Sequence, residues 1–219
     1  MTMKNCILIS TLFAFLTSCA PKLSTAAQSE LKSEIKEMVK IDQVAASPPK
    51  NGNTNYDKEK WKSFKDSVFT ANKNQLEKIY IKYGFLGFDK VGKDGSNDFW
   101  LLIQHLDKYP EFQQEVLGSM QKEVKKRNAN PENYAFLYDR IKVNAGEKQL
   151  FGTQVTYEVQ ATVSAIPKNG LSDPDHVDAL RKEYNLEPLK EYLNAMTEMH
   201  FEMNKARYEK IGVTKPNLY

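Results

Sequence analysis

The spacing of apolar residues departs from the helical period in one segment of this chain, and that segment limits the folds available to it. Before this segment apolar residues recur at helical intervals, as in the face made by Phe112, Val116 and Met120. From Gln149 the stretch "QLFGTQVTYEVQATVSAIP" alternates β-branched and polar residues, which predicts two strands of a hairpin. Helical spacing returns after Pro174. We therefore predict an α+β, mainly α-helical fold: a helical domain with one small antiparallel β-hairpin.

Caps and breakers predict where the helices begin and end. Ser96 is the expected N-cap of the helix that carries the most apolar segment, and Pro110 is the expected first residue of the next. The glycine-rich stretch before Ser96 lacks the spacing of a phosphate-binding loop, so we expect turns there. The other expected helices are about Ser29 to Val44, Asp57 to Phe69, Asn74 to Tyr83, one opening at Asn130-Pro131, Pro174 to Tyr184, and Glu187 to about Tyr208.

The amino terminus, "MTMKNCILISTLFAFLTSCAP", is typical of a secretory signal. It ends in Leu16-Thr17-Ser18-Cys19, which resembles a bacterial lipobox, so we expect Cys19 to be diacylated and to attach the protein to a membrane. The alternative is an ordinary signal peptide cut elsewhere. We expect a lipoprotein signal peptide at 1–18, a lipidated tether at 19–28 and a single mainly helical domain at 29–219. Ala20, rather than aspartate, follows the cysteine, which favours the periplasmic face of the outer membrane.

Cysteine usage and charge exclude several classes of function. Cys6 leaves with the signal and the Cys19 thiol would be acylated, so the domain has no cysteine for a disulfide, a thiolate metal site or a nucleophile. The 31 basic residues nearly balance the 28 acidic ones, which argues against a nucleic-acid partner. Neither a metal nor another cofactor is expected: His176 and His200 lack ligand spacing, and the serine-hydrolase motif GxSxG is absent.

The segment "SNDFWLLIQHLDKYP" carries Gln104, His105 and Asp107 inside the most apolar part of the chain. On a helix, His105 and Asp107 lie about 160° apart, on opposite flanks of the apolar stripe. They are therefore not expected to share a metal ion or a proton within this segment. A single histidine beside an apolar stripe is more often a satisfied structural group, and the alternative is a catalytic base or a ligand-binding group.

Two further groups of polar residues follow. Asp139 and Arg140 lie in an amphipathic helix, where such neighbours usually form ion pairs with other helices. Gln149, Thr153 and Gln154 lie in "GEKQLFGTQ", between a helix exit and a strand start. Glutamine side chains both donate and accept hydrogen bonds, which suits a ligand pocket and suits the capping of loop carbonyls equally well.

The three motifs "WLLIQHLD", "FLYDR" and "GEKQLFGTQ", in this order, resemble an uncharacterised bacterial family of unknown function. Its pattern is roughly W-L-x-x-Q-H-x-D, L-x-D-R, G-x-x-Q-x-[YF]-G-T-Q and R-x-x-x-x-L-x-P-L. The resemblance covers about residues 72–193 and adds "MVKIDQ" in the first helix. It implies no established activity. The matching residues are Trp100, Gln104, His105, Asp107, Asp139, Arg140, Gly146, Gln149, Gly152, Thr153, Gln154, Arg181, Leu186, Pro188 and Leu189.

These residues support three hypotheses. The first is a lipid-anchored envelope module that binds a small molecule or a protein without catalysis, at a site lined by His105, Arg140, Gln149 and Gln154. The second is a hydrolase or transferase in which His105 is the general base, Asp139 orients it, and Arg140 with Gln154 stabilises negative charge. In the third, all of them are buried structural groups. A separation of more than about 7 Å between His105 and Asp139, with no shared cavity, would exclude the second hypothesis.

Overall fold

The computed structural model describes residues 23–47 and 57–219, so the predicted signal peptide, the lipobox and Cys19 lie outside the described residues. Among the described residues, no helix combines the length and the hydropathy that crossing a bilayer requires. The helices are α1 (Thr25–Ala46), α2 (Lys58–Tyr83), α3 (Phe88–Gln104), α4 (Pro110–Lys125), α5 (Pro131–Asn144), α6 (Val177–Glu183) and α7 (Leu189–Lys210). The strands are β1 (Val155–Val159) and β2 (Val163–Pro167).

The predicted fold class is confirmed. β1 and β2 form an antiparallel hairpin in which Tyr157 lies opposite Ala165, in the segment where β-branched residues alternate with polar ones. The carboxy-terminal tail extends this sheet, since Pro216 forms a single parallel bridge with Val163. Helices make up most of the rest of the described chain, as the 3.6-residue spacing predicts.

Several helix boundaries differ from those predicted. α1 begins at Thr25 rather than Ser29, because the side chain of Ser24 accepts a hydrogen bond from the backbone N–H of Ala27 and caps it. α2 is one continuous helix where we expected two. The stretch between the two predicted helices has no proline or glycine, and Asn72 within it is buried and bonded to Asp42 of α1, so nothing interrupts the helix.

The prediction that Ser96 caps a helix is wrong. α3 already begins at Phe88 and bends at Gly92, whose φ of 70° is a conformation that glycine adopts readily, so part of the glycine-rich stretch is helical. Ser96 lies inside the helix and is 4% exposed. The proline predictions are confirmed, since Pro110 and Pro131 open α4 and α5.

The main core is built from the apolar faces of α1 to α5, with Phe151 from the loop that follows α5. A smaller core between the hairpin and α7 contains Val163, Phe201 and Tyr208. α1 packs most extensively on α3, and this packing brings the end of α1 to the end of α3. Asp42 lies on the buried face of α1 and is 0% exposed.

Candidate functional site

The position at which α3 ends determines where the polar side chains of the apolar segment point. The helix ends at Gln104, and the buried side chain of Gln113 in α4 donates from Nε2 to the carbonyl oxygens of Ile103 (3.0 Å) and Gln104 (3.3 Å). His105 is therefore the C-cap and Asp107 lies beyond the helix. Helical phase does not apply past Gln104, so our prediction that His105 and Asp107 face different surfaces is wrong. Both line one pocket.

His105 pairs with a buried carboxylate that comes from α1. Its Nδ1 lies 2.6 Å from Oδ2 of Asp42. Asp42 also accepts hydrogen bonds from the side-chain amides of Asn72 (3.1 Å) and Gln43 (3.2 Å). Because an ionised carboxylate only accepts, Nδ1 carries the hydrogen in the neutral imidazole, which leaves Nε2 as an acceptor. Within residues 23–47 and 57–219, Nε2 has no hydrogen-bond partner, and it is accessible to solvent.

The cavity beside this pair, which we term the His105 pocket, has a volume of about 290 Å³. It lies where the ends of α1 and α3 meet α2 and α5. Its lining combines apolar and aromatic groups with charged ones: Ala46, Lys65, Asp66, Phe69, His105, Leu106, Asp107, Lys108, Tyr109 and Arg140.

One wall of the His105 pocket is aromatic, because the ring of Phe69 stacks on His105 with centroids 5.6 Å apart and planes 28° apart. This contact restricts rotation of the imidazole and places an apolar ring beside it. Tyr109 lies on the same pocket, and its hydroxyl lies 2.9 Å from Oγ1 of Thr70. The histidine is thus held by a carboxylate on one side and by a ring on another.

Two ion pairs form the charged part of the pocket. Arg140 binds Asp107 with two parallel hydrogen bonds of 2.7 Å each, and Asn144 donates a third to the same carboxylate. Lys108 lies 2.7 Å from Asp66, and its hydrogen bond holds the pKa of that carboxyl below its usual value. Fork-shaped arginine pairs fix geometry as well as charge. Arg140 therefore presents a positioned guanidinium, 27% exposed, at the pocket.

Asp139 faces away from this pocket. Its Oδ1 accepts hydrogen bonds from the backbone N–H groups of Leu150 (2.9 Å) and Phe151 (3.1 Å). Its Oδ2 accepts hydrogen bonds from the backbone N–H and the hydroxyl of Thr153 (2.9 and 3.0 Å). Adjacent residues on a helix point about 100° apart, so Asp139 turns to this loop while Arg140 turns to the pocket. Burial raises the pKa of Asp139 above its usual value, while the four hydrogen bonds act in the opposite direction.

The hypothesis in which Asp139 orients His105 is corrected by this geometry. Both carboxylate oxygens of Asp139 are used by the loop, and Asp42 occupies Nδ1 of His105. In the described part of the chain, no hydrogen bond joins His105 to Asp139. An Asp–His pair is present, but its carboxylate belongs to α1.

Gln149, Thr153 and Gln154 belong to residues 149–154, which we term the 149–154 loop, and they do not line the His105 pocket. Gln149 is 0% exposed; its Nε2 donates to the carbonyls of Gln154 (2.8 Å) and Lys168 (2.6 Å), and its Oε1 accepts the N–H of Gln154 (2.8 Å). Thr153 is 3% exposed, and Gln154 donates to its hydroxyl at 3.3 Å. These side chains satisfy the backbone of the loop, so the predicted ligand contacts from Gln149 and Gln154 are not formed at this pocket.

Comparison with family models matches residues 29–203 to a family described as of unknown function (DUF6624). The chain belongs to this family. The match confirms the predicted resemblance to an uncharacterised family and extends from α1 to α7, so it contains both the His105 pocket and the 149–154 loop. Comparison with curated proteins and with solved structures gives no match.

In this DUF6624 chain, the 149–154 loop is also held by Arg181, for which the sequence predicted no role. Arg181 is 1% exposed; it donates from Nη1 to the carbonyl of Phe151 (2.6 Å) and from Nε to that of Glu187 (2.7 Å). Its guanidinium lies over the ring of Tyr192 at 5.0 Å. Burial lowers the pKa of Arg181 below its usual value. Arg181 is one of the residues that carry the resemblance, and its guanidinium donates hydrogen bonds to backbone carbonyls.

Three residues of the pocket region were missed: Asp42, Asn72 and Gln113. A signal existed for Asp42, which falls on the apolar stripe of α1 and within "MVKIDQ". Gln113 gave no such signal, because a glutamine in an amphipathic helix is normally solvated. Gln104 lies outside the pocket, and its side chain has no hydrogen bond to a described residue.

The other two histidines lie apart from the pocket. His176 pairs with Asp173 at the surface, with Nδ1 3.0 Å from the carboxylate. His200 stacks on Tyr157, with ring centroids 3.5 Å apart, and burial lowers its pKa. Over the described residues, no group of three or more His, Cys, Asp or Glu side chains is placed to hold a metal ion.

Proposed function

We propose that the protein is a lipid-anchored protein of the bacterial cell envelope that binds a small molecule in the His105 pocket. The observation that carries the proposal is the environment of His105: a buried carboxylate fixes Nδ1, an aromatic ring stacks beside the imidazole, and Nε2 remains accessible. A cavity with an apolar wall and a few positioned polar groups is the usual form of a small-molecule site. Its volume of about 290 Å³ suits a small ligand.

The lining indicates the chemistry of the ligand. Asp66 and Asp107 are each paired with a cation of the same pocket, and Lys65 adds a third cation, so the charged walls favour a neutral or anionic group over a cationic one. Phe69 and Leu106 supply an apolar surface, while Nε2 of His105 and the guanidinium of Arg140 supply polar contacts. The expected ligand has a compact, partly apolar body and a polar group that reaches His105 and Arg140.

The lipid anchor is supported by the sequence. Cys19 follows Leu16-Thr17-Ser18 directly after the apolar stretch of the signal, and the membrane attachment through its acyl chains is part of the proposal. We place the domain on the periplasmic face of the outer membrane because Ala20 follows the cysteine.

A second candidate function is acid–base catalysis at the same site, favoured by the 2.6 Å contact between His105 and Asp42. In this version Nε2 accepts a proton from a bound water or hydroxyl group, Asp42 stabilises the imidazolium that forms, and Arg140 stabilises the developing negative charge. The reaction would be a hydrolysis or a group transfer. Asp42 replaces Asp139 in the role that the sequence suggested.

The binding proposal is tested by ligand-induced thermal shift, since this measurement requires no assumption about a reaction. A library of metabolites and glycans is screened against the wild type, His105→Ala and His176→Ala. His176 is the matched control because it is a surface histidine paired with an aspartate. At least one compound should stabilise the wild type and His176→Ala but not His105→Ala. A compound set that stabilises all three proteins equally would contradict the proposal.

The compounds that the thermal-shift screen identifies also distinguish catalysis from binding. Each stabilising compound is incubated with the wild type and with Asp42→Asn, and mass spectrometry follows its conversion. Turnover by the wild type that is lost in a folded Asp42→Asn protein would support acid–base chemistry. A compound that binds and stays unchanged would leave binding as the function and exclude catalysis on that compound.

A further inference from the structure

A second cavity, a groove of about 850 Å³, lies between the first half of α3, the connection from α4 to α5 and the end of α6. It shares no lining residue with the His105 pocket. Its lining is mostly polar, and its apolar residues are Phe88, Val124, Ala129 and Pro131. This groove is therefore a separate site that the proposed function does not use, and we term it the asparagine groove after the residues described next.

Four asparagine side chains line the groove. Asn133 is 8% exposed, and its Nδ2 donates to Oδ1 of Asn97 at 3.0 Å, which fixes the orientation of both carboxamides. Asn130 accepts the backbone N–H of Glu132 through Oδ1 at 2.9 Å and caps α5. Asn185 holds its side chain from a left-handed position, with φ of 59°.

These bonds leave a defined set of hydrogen-bonding atoms open to the groove. Oδ1 of Asn133 remains as an acceptor, and Nδ2 of Asn97 and of Asn130 remain as donors. The carboxamide of Asn185 adds both kinds. Among the described residues these atoms have no protein partner, and they are accessible to solvent. The groove thus offers both donors and acceptors, and the most buried carboxamide, that of Asn133, is held in place by Asn97.

The charged residues of the groove balance in sign. Across residues 23–47 and 57–219, none of them forms an ion pair, so each is available to a ligand. They are three cations and three anions: Lys93, Lys125, Arg127, Asp94, Glu132 and Glu183. A phosphate or another strong anion would meet as many carboxylates as cations here, so the electrostatics favour a ligand without net charge.

We propose that the asparagine groove binds a neutral oligosaccharide. A hydroxyl group is both a donor and an acceptor, so a sugar can use carboxamide donors, carboxamide acceptors, carboxylates and cations together. Phe88 and Val124 offer contact to the apolar face of a sugar ring. The volume of about 850 Å³ accommodates more than one ring.

The test uses isothermal titration of maltotriose and chitotriose, two neutral trisaccharides, into the whole domain. Asn97→Asp keeps the oxygen that Asn133 needs and removes the open donor, and Asn185→Gly keeps the left-handed backbone without strain. Asn74→Asp, at an exposed position of α2, is the control for the added charge. Asn97→Asp should weaken binding by about fivefold to tenfold, and Asn74→Asp should stay within about twofold of wild type.

A second readout locates the sugar. Side-chain amide signals of Asn97 and Asn185 should move in NMR spectra during the titration, and His105→Ala should bind the sugar as the wild type does. The proposal is overturned if neither trisaccharide binds up to about 10 mM. It is also overturned if Asn97→Asp and Asn185→Gly bind with unchanged affinity, or if inorganic phosphate moves the same amide signals while the sugars do not.

Discussion

Asp42 and Asp139 are both completely buried aspartates with several hydrogen-bond donors, yet they serve two different regions. The groups that donate to Asp139 are backbone N–H groups and one hydroxyl of the 149–154 loop, so these hydrogen bonds hold the loop and lead to no pocket among the described residues. One donor of Asp42 is the imidazole of His105, whose other nitrogen is accessible at a pocket. Burial and residue type are therefore not enough to recognise a site. A buried aspartate points to a site when its series of hydrogen bonds leads to a group that a ligand can reach.

The adjacent residues Asp139 and Arg140 show the same division within one motif. The aspartate anchors the 149–154 loop, and the arginine forms its two hydrogen bonds with Asp107 at the His105 pocket. A short motif of polar residues thus combines a structural role with a candidate functional one. Variants that separate the two regions test this division.

The largest effect is expected for Asp139→Asn. The amide group would turn N–H donors towards the N–H groups of the loop, so the free energy of unfolding should fall by about 3–5 kcal/mol. Urea denaturation measures this, with Asp107→Asn as the control. Because Asp107 is 42% exposed, its replacement should cost about 0–1 kcal/mol. Equal losses in the two variants would remove the distinction between the regions.

A smaller loss is expected for Gln149→Glu. A carboxylate cannot donate to the carbonyls of Gln154 and Lys168, and it would repel them, so unfolding should become easier by about 2–3 kcal/mol. Gln160→Glu, at an exposed position between the strands, should change stability by less than about 0.5 kcal/mol. If Gln149→Glu were as stable as wild type but lost ligand binding, Gln149 would belong to the site after all.

Asp42→Asn should cost less than Asp139→Asn, about 1–2 kcal/mol, because an imidazole can adapt and a backbone amide cannot. His105 can change tautomer and accept a hydrogen bond from the new amide through Nδ1, which moves its hydrogen to Nε2. Nitrogen-15 NMR of the imidazole should detect this exchange between the two nitrogens. An unchanged tautomer would show that Asp42 does not set the state of His105.

The smallest effect concerns pH and the Asp139 carboxyl. Because burial raises its pKa above 3.8, the folded state binds its proton more tightly than the unfolded state does. The contribution of the Asp139 carboxyl to the free energy of unfolding is fully present below pH 3.8. It is lost as the pH rises through the pKa that this carboxyl has in the folded protein. The stability gap between wild type and Asp139→Asn should therefore narrow as the pH rises. A gap that widens would mean that the four hydrogen bonds outweigh burial.

Much of the fold follows from local signals. Pro110 and Pro131 open helices because proline suits the first helical position, and Asn185 leaves a helix in a left-handed conformation that asparagine tolerates. The hairpin follows from β-branched alternation. The end of α3 did not follow, because it depends on Gln113 of another helix.

The candidate site was predictable only in part. Its residues His105, Asp107 and Arg140 are marked by polar groups in apolar surroundings. The pairing of His105 with Asp42 joins residues 63 positions apart, and periodicity within one helix carries no information about which helices meet. The role of Gln149 was ambiguous for a similar reason, since a glutamine serves a ligand and a backbone carbonyl equally well.

The most direct test of the His105 pocket as a binding site is isothermal titration of one stabilising compound into the wild type, His105→Ala and Gln154→Ala. His105→Ala removes the centre of the pocket, and Gln154→Ala removes a loop side chain that makes only long hydrogen bonds. We predict that His105→Ala weakens binding by at least about tenfold, and that Gln154→Ala stays within about twofold of wild type. Loss of binding in Gln154→Ala with full binding in His105→Ala would place the site in the 149–154 loop and contradict binding at the His105 pocket.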